Sequence, residues 1–499
     1  MDDLCDGDIL VRRRRRNVPL IFEKDTPGAA GYRLPPMEVP RKDPAALLPA
    51  ASRRQIPAHL PAVNEPEVVR HYINLSSLNH HVDKALYPLG SCTMKYIPKI
   101  NEELSGRPDL AGLHPLAPAE SCQGMLELLW DFSRELAEVV GMDEISLHPA
   151  AGAQGELLGI KLVRAYHRAK KNVKTTILIP DSAHGTNPAT VRMVGYEVEE
   201  VASGPDGRLD LNRLRSRVGP HVAGIMVTNP NTVGLFETRF QEMAELIHSV
   251  DGLVYMDGAN LNALVGLVRP GDIGADIVHI NLHKTFSTPH GGGGPGSGPV
   301  GVKAALARFL PVPRVVKEGD RFRWIEEAPD SVGRLHPFFG NVGIILRAYA
   351  YLRSLGPDGL AEVSRGAIVN ANYLAKQVEE DYPASHPGPF LHEFVTSLAW
   401  MRKYGVKNID AAKRLLDDGF HAPTVSFPLI VPDCFMIEPT ETESRASLDS
   451  FALSMRNIAE EARSCPEILA TSPHWTPVGR LDEAGAARAL KLRWEWPSQ

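Results

Sequence analysis

The sequence predicts an α/β protein: a large domain on a sheet of buried parallel strands, then a smaller α+β domain, with an extended arm in front. Three observations predict it. Short apolar runs at residues 175–179, 222–227, 253–256 and 277–282 each end in polar or glycine-rich punctuation, the pattern of strands covered on both faces. Helical spacing of apolar residues marks the stretches around them, as at residues 123–140, 157–169 and 240–249. Beyond about residue 345 the pattern changes. Long helical stretches at 342–355, 361–382 and 447–464 surround a few short strands.

Length sets the domain count. A chain of 499 residues is too long for one ordinary domain, and the expected division is an arm at 1–65, a large domain at 66–345 and a small domain at 346–499. The arm is rich in Pro, Arg and Ala, and its few apolar residues, such as Leu20, Ile21 and Phe22, need another surface to cover them.

Composition excludes several function classes. With 43% apolar and 23% charged residues the chain reads as a soluble globular enzyme. A net charge of −6 gives no reason to expect nucleic acid or an anionic membrane as partner. The run Arg12 to Arg16 is the local exception. Without interleaved aromatics it reads as a solvated arm or a patch for an acidic partner. Five scattered cysteines with no C-x-x-C suggest neither a zinc ribbon nor a disulfide framework, and a reducing cytoplasm fits them. The acidic N-terminus lacks the apolar core of a secretory signal. No apolar stretch approaches the roughly 18 residues that a membrane span needs.

In open α/β sheets the site forms beyond the carboxyl ends of the strands, and each apolar run delivers its unusual polar residues there. The densest case is NLHKTFSTPH at 281–290, followed by GGGGPGSG. A lysine beside a histidine and before a glycine loop suits a Schiff-base lysine. Such a lysine must be unprotonated to attack an aldehyde, which partial burial and nearby positive charge favour, and the glycines allow close backbone approach to a ligand. Asp257 ends a run 27 residues before Lys284 (284 − 257). Pyridoxal-phosphate chemistry needs a carboxylate facing the pyridine nitrogen, although an isolated Asp there could equally cap a helix. His184, in DSAHGTNP after the run 175–179, could stack on a cofactor ring or be an ordinary structural histidine. HPAAGAQGE at 148–156 leads into a helix, and the small residues around Ala153 and Gln154 leave N–H groups free for a phosphate. Thr232 and His283 complete the expected cofactor-binding set.

Rival motifs fail on context. GSGPVG at 296–301 matches G-x-G-x-x-G, but a long loop precedes it and a strand follows, the reverse of a dinucleotide fingerprint. Val302 stands where a P-loop needs lysine. No G-x-S-x-G or H-E-x-x-H occurs. His80 and His81, near His71, are adjacent loop histidines rather than a metal site.

The motifs LIFEKDTPG, ALYPLGSCTMKY, HPAAGAQGE, DSAHGTNPAT, VTNPNTVGLFE, HKTFSTPHGGGGPGSGPVG, RLHPFFGN and IEPTETES run from Leu20 to Ser444. In them the chain resembles the glycine cleavage system P-protein family, in its C-terminal half. That resemblance implies a fold-type-I, aspartate-aminotransferase-like architecture, with pyridoxal 5'-phosphate on Lys284, Asp257 at the pyridine nitrogen and His184 over the ring. It also implies glycine decarboxylation with transfer of the aminomethyl group to the lipoyl group of an H-protein. A separate subunit 1 is expected as partner, in an α2β2 assembly. Arg334 is the expected anchor for the glycine carboxylate, because Arg binds carboxylates bidentately, though a surface ion pair would use it equally well. The alternatives are another fold-type-I decarboxylase or aminotransferase, and a catalytically silent subunit. The polar, His-rich stretch at 77–82 and the Arg run depart from the family pattern.

Overall fold

The computed structural model describes residues 18–493 except 30, 32–34, 57 and 59. Cys5 and the Arg12 to Arg16 run lie outside the described residues. The chain divides into two units, one of residues 1–81 with 472–499 and one of residues 82–471.

The smaller unit holds short helical turns at Ile21–Lys24, Pro44–Leu47 and Ala50–Ser52, and a helix at Glu65–Leu78. Asn64 starts that helix by accepting from the Glu67 N–H at 3.0 Å. Leu20, Met37, Val39, Ile56 and Leu60 are exposed.

The larger unit is built on a seven-stranded sheet in the order β1-β7-β6-β5-β4-β2-β3. The strands are β1 Glu144–Ser146, β2 Thr176–Pro180, β3 Glu197–Val201, β4 Val222–Thr228, β5 Leu253–Gly258, β6 Ile277–Ile280 and β7 Val300–Val302. The four runs expected as strands are β2, β4, β5 and β6, and they are parallel to their neighbours in that set. The sheet as a whole is mixed, because β7 runs antiparallel to both β6 and β1. The reason is local. The chain leaves β6 at its carboxyl end, turns back through the glycine loop on that same side, and re-enters the sheet from there.

Two strands carry no apolar run. β3 has the sequence EVEEV at the sheet edge, where its acids stay partly exposed, and β1 is three residues long. Helix Gln123–Val140 lies at the expected positions. The stretches expected as two helices, 342–355 and 361–382, run as Val342–Val378 broken at Gly356, whose φ of 62° and ψ of −174° precede Pro357. Glycine relieves the left-handed backbone there, and proline cannot continue the incoming helix.

A hairpin of β8 Arg314–Glu318 and β9 Arg321–Ile325 follows, and a second core lies around a three-stranded sheet, β10 Phe394–Ser397, β12 Cys434–Ile437 and β11 Thr424–Val425. Phe394, Phe435, Phe451 and Leu415 are wholly buried in it, under helices Asn408–Asp417 and Arg445–Ser464. Among the described residues no helix is long and apolar enough to cross a membrane.

Candidate active site

Strand register places the first polar groups. In the parallel ladder Thr228 faces Asp257 and Asp257 faces His279, at the carboxyl ends of β4, β5 and β6. Asp257 is 2% exposed. Its Oδ1 accepts from the Ala259 N–H at 2.9 Å and lies 3.4 Å from His279 Nε2. His279 Nδ1 is 2.6 Å from the Tyr255 hydroxyl. Burial holds the His279 ring below its ordinary range although Asp257 pulls the other way, and burial raises the Tyr255 phenol well above its own. A neutral Tyr–His pair therefore backs the Asp257 carboxylate.

Lys284 sits on the single helical turn Leu282–Thr285 that follows β6. Its Nζ donates to the Ser91 carbonyl at 2.8 Å. His283 beside it is pushed down to about 3, first by burial and then by the charges of Lys284 and His290. It stays neutral, with Nδ1 3.4 Å from the Ser297 N–H. His184 is displayed after β2, its Nδ1 2.8 Å from Thr186 Oγ1. Burial, partly offset by Asp257, lowers its ring too. Thr186 and Thr190 donate to the two oxygens of Glu156 at 2.8 and 3.3 Å. Burial and then Asp257 raise that carboxyl to about 7.

The helix Gly152–Ala169 opens toward the same place. Close packing requires its first glycine, since a Cβ on Gly152 would stand 2.5 Å from Asn281 Oδ1. Together these elements enclose a cavity of about 310 Å³ lined by Lys284, Asp257, His184, His283, Thr232 and Ala153, with Ser91, Cys92, Glu156, Asn281 and His290. Larger clefts of about 880 and 440 Å³ contain neither Lys284 nor Asp257. The smaller cavity is the chemical one because the titratable groups converge there.

Of the residues singled out from sequence, Lys284, Asp257, His184, Ala153, His283 and Thr232 come together. Thr232 donates to the Ser182 carbonyl at 2.6 Å. Gln154 turns back, its Oε1 accepting from the Ala150 N–H at 2.8 Å. Arg334 is exposed and is not among the cavity-lining residues. Sequence reasoning did not single out Ser91, Cys92, Glu156, His279 or Asn281. The signal for the first two was the ALYPLGSCTMKY motif, which serves no general folding need. The structure shows what it does. Leu89 bridges to Ile437, Thr424 Oγ1 donates to the Gly90 carbonyl at 2.7 Å, and Thr93 Oγ1 donates to Glu438. The loop is thus fixed to the second sheet and reaches over to Lys284.

Fold and cavity define a fold-type-I enzyme of the kind that carries pyridoxal phosphate. The solved structures agree on the fold. A crystal structure of glycine decarboxylase (P-protein) of the glycine cleavage system, inhibitor-bound, superposes with a TM-score of 0.67 at 21% identity, covering 92% of this chain and 99% of that one. Glutamate decarboxylase of Lactobacillus brevis gives 0.65 at 14% identity, over 84% and 98%. The family described as Glycine cleavage system P-protein matches residues 44–320, and Glycine dehydrogenase, C-terminal domain, matches 363–472. A probable glycine dehydrogenase (decarboxylating) subunit 2 of Chlorobium chlorochromatii is 52% identical over 475 residues, 95% of this chain and 99% of its own length. One so named from Listeria monocytogenes is 51% identical over 479 residues, 96% and 98%. The chain belongs to the glycine cleavage system P-protein family.

Proposed function

We propose that this chain is subunit 2 of a glycine dehydrogenase (decarboxylating) and carries pyridoxal phosphate on Lys284. Glycine loses CO2, and its aminomethyl group passes to the lipoyl group of an H-protein. One observation carries the reading: Lys284, Asp257 and His184, from three separate segments, line one cavity. The cavity suits a polar, planar, anionic group. Asn281 Oδ1 and Thr228 Oγ1 are buried in its wall without a hydrogen-bond partner, and the amino end of an 18-residue helix opens into it.

When bound, the cofactor supplies an electron sink for the charge that loss of CO2 leaves. Lys284 provides the amine that holds it. Asp257 keeps a proton on the ring nitrogen, and His184 offers its ring as a stacking face. The N–H groups at Gly152, Ala153 and Gln154, in the first turn of the helix, would receive the phosphate, with Thr232 and His283 also in the cavity wall.

We further infer a separate subunit 1, in an α2β2 assembly. The subunit 2 names of the relatives and the exposed apolar residues of the smaller unit support it. A cytoplasmic location is in keeping with the unpaired state of Cys92, Cys122, Cys434 and Cys465.

Borohydride reduction of the cofactor-loaded chain should fix label on one peptide containing Lys284. Label on Lys303 or Lys317 would overturn the assignment. Glycine-dependent CO2 exchange should require this chain, subunit 1 and lipoylated H-protein together. Robust exchange without subunit 1 would end the partner reading. Decarboxylation indifferent to lipoyl groups would favour another fold-type-I decarboxylase.

A further inference from the structure

Glu393 is wholly buried just before β10, 302 residues from Ser91 in sequence, and takes no part in the chemistry described above. Its Oε2 accepts from the Ser91 N–H at 2.7 Å. Its Oε1 lies 3.4 Å from Asn260 Nδ2. Ser91 in turn offers its carbonyl to Lys284 Nζ at 2.8 Å. Both of Glu393's oxygens are thus engaged by N–H donors, although it lies within 4.8 Å of His392 and Glu438.

Ser91 needs holding. Its φ is 60°, in the left-handed region that a serine rarely adopts. Within the turn around it, the Cys92 N–H donates to the Leu89 carbonyl at a long 3.4 Å. The preceding residue leaves no slack, since a Cβ on Gly90 would stand 2.6 Å from the Met436 carbonyl oxygen. Glu393 itself has a fixed base. Leu391 N–H donates to the Gly234 carbonyl at 2.8 Å, and a Cβ on Gly234 would stand 1.9 Å from the Glu393 carbonyl oxygen. A rigid backbone therefore carries a buried carboxylate to the one N–H that orients Ser91.

We propose that Glu393 is a positioning residue for Lys284: through Ser91 it holds in place the carbonyl on which the lysine amine rests whenever that amine is not bonded to the cofactor. This rests on the reading of Lys284 as the cofactor-bearing lysine. In that chemistry the lysine is released and must rejoin once per turnover. A free lysine has a flexible four-carbon stem and much rotamer entropy to lose. An acceptor at fixed distance keeps the amine beside its target and limits its wandering into the cavity. The carboxylate acts as an acceptor, so a neutral acceptor of the same length should replace it.

The test uses the cofactor-free full chain. Each lysine's acylation by trace acetic anhydride is mapped, with exposed Lys317 as internal reference. Glu393→Met keeps the volume and removes the acceptor. It should raise the relative reactivity of Lys284 about fivefold or more, the scale of one lost buried hydrogen bond, and weaken pyridoxal-phosphate binding by a similar factor. Glu393→Gln should stay within about twofold of the parent in both. Should the Met variant not fold, Glu393→Asp withdraws the carboxylate by one methylene and carries the same expectation. Unchanged Lys284 reactivity in the folded Met or Asp variant overturns the proposal, as does a Gln variant that behaves like Met. Failure of the cofactor reading looks different: borohydride then labels another lysine, while the acylation pattern still reports whether Glu393 holds Lys284.

Discussion

The hydroxyl of Tyr255 and Nδ1 of His279 lie 2.6 Å apart, with both side chains 1% exposed. Burial keeps the phenol protonated, so Tyr255 stays able to donate, and the other imidazole nitrogen, Nε2, lies 3.4 Å from Asp257 Oδ1 and 3.3 Å from Asn281 Nδ2. Tyr255→Phe removes that donor and leaves Nδ1 buried without a partner. The expected cost is about 1–3 kcal/mol, read as a lower urea midpoint of the cofactor-free chain. An unchanged midpoint would show that the pair does not order the Asp257 environment.

Gly159 lies on the helix Gly152–Ala169 against the same tyrosine. A Cβ there would stand 2.1 Å from Tyr255 Cε2. Gly159→Ala gains roughly 1 kcal/mol of helix propensity but must push a buried ring, which costs about 1–3 kcal/mol, and at this distance the clash should prevail. Thermal melting should fall. A rise would mean that the ring moves freely.

Glu156 supplies a pH dependence. Its carboxyl is raised to about 7 in the folded chain from an ordinary value near 4.5. The folded state therefore holds the proton more tightly. The associated stability is fully present below about pH 4.5 and is lost as pH rises toward 7. Glu156→Gln escapes that loss. Relative to the parent, the variant should gain on the order of 1 kcal/mol or more between these limits and little below them. Melting curves at pH 4.5 and 7.5 would check the sign. A gain that is the same at both would disprove it.

Lys95 Nζ is buried and bonds Glu441 at 2.8 Å, Asn262 at 2.8 Å and Tyr351 at 3.1 Å. Burial works against its charge, yet Glu441 and Tyr351 outweigh it and keep the ammonium protonated. Lys95→Met leaves Glu441 uncompensated and should destabilise the chain by about 3–5 kcal/mol. Lys95→Met with Glu441→Leu should recover much of that. A double variant no better than the single one would show that Glu441 does not need a partner.

Asp257→Asn keeps the shape of the site but weakens the hold on the ring proton. Cofactor should still attach to Lys284, and turnover should fall by a large factor. Near-normal glycine exchange in that variant would refute the role of Asp257.

Sequence by itself determined the elements whose signals are local. A buried strand declares itself by a short β-branched run, and its polar terminus follows within a few residues, so Asp257, His184 and Lys284 were legible as strand-end residues. A helix after HPAAGAQGE was legible too, expected over 157–169, but it begins five residues earlier, at Gly152. Tertiary structure decided what depends on partners distant in the chain. The glycine loop's return on one side of the sheet made β7 antiparallel. The EVEEV strand is hidden from periodicity because an edge position tolerates its acids. The Tyr255–His279–Asp257 line needs the register of β5 on β6. Glu393 reaches Ser91 across 302 residues, and no local pattern marks a carboxylate whose only task is to hold another residue's backbone. Period and punctuation are short-range properties of a chain, whereas register, burial and the partners of buried polar groups exist only after the chain has closed on itself.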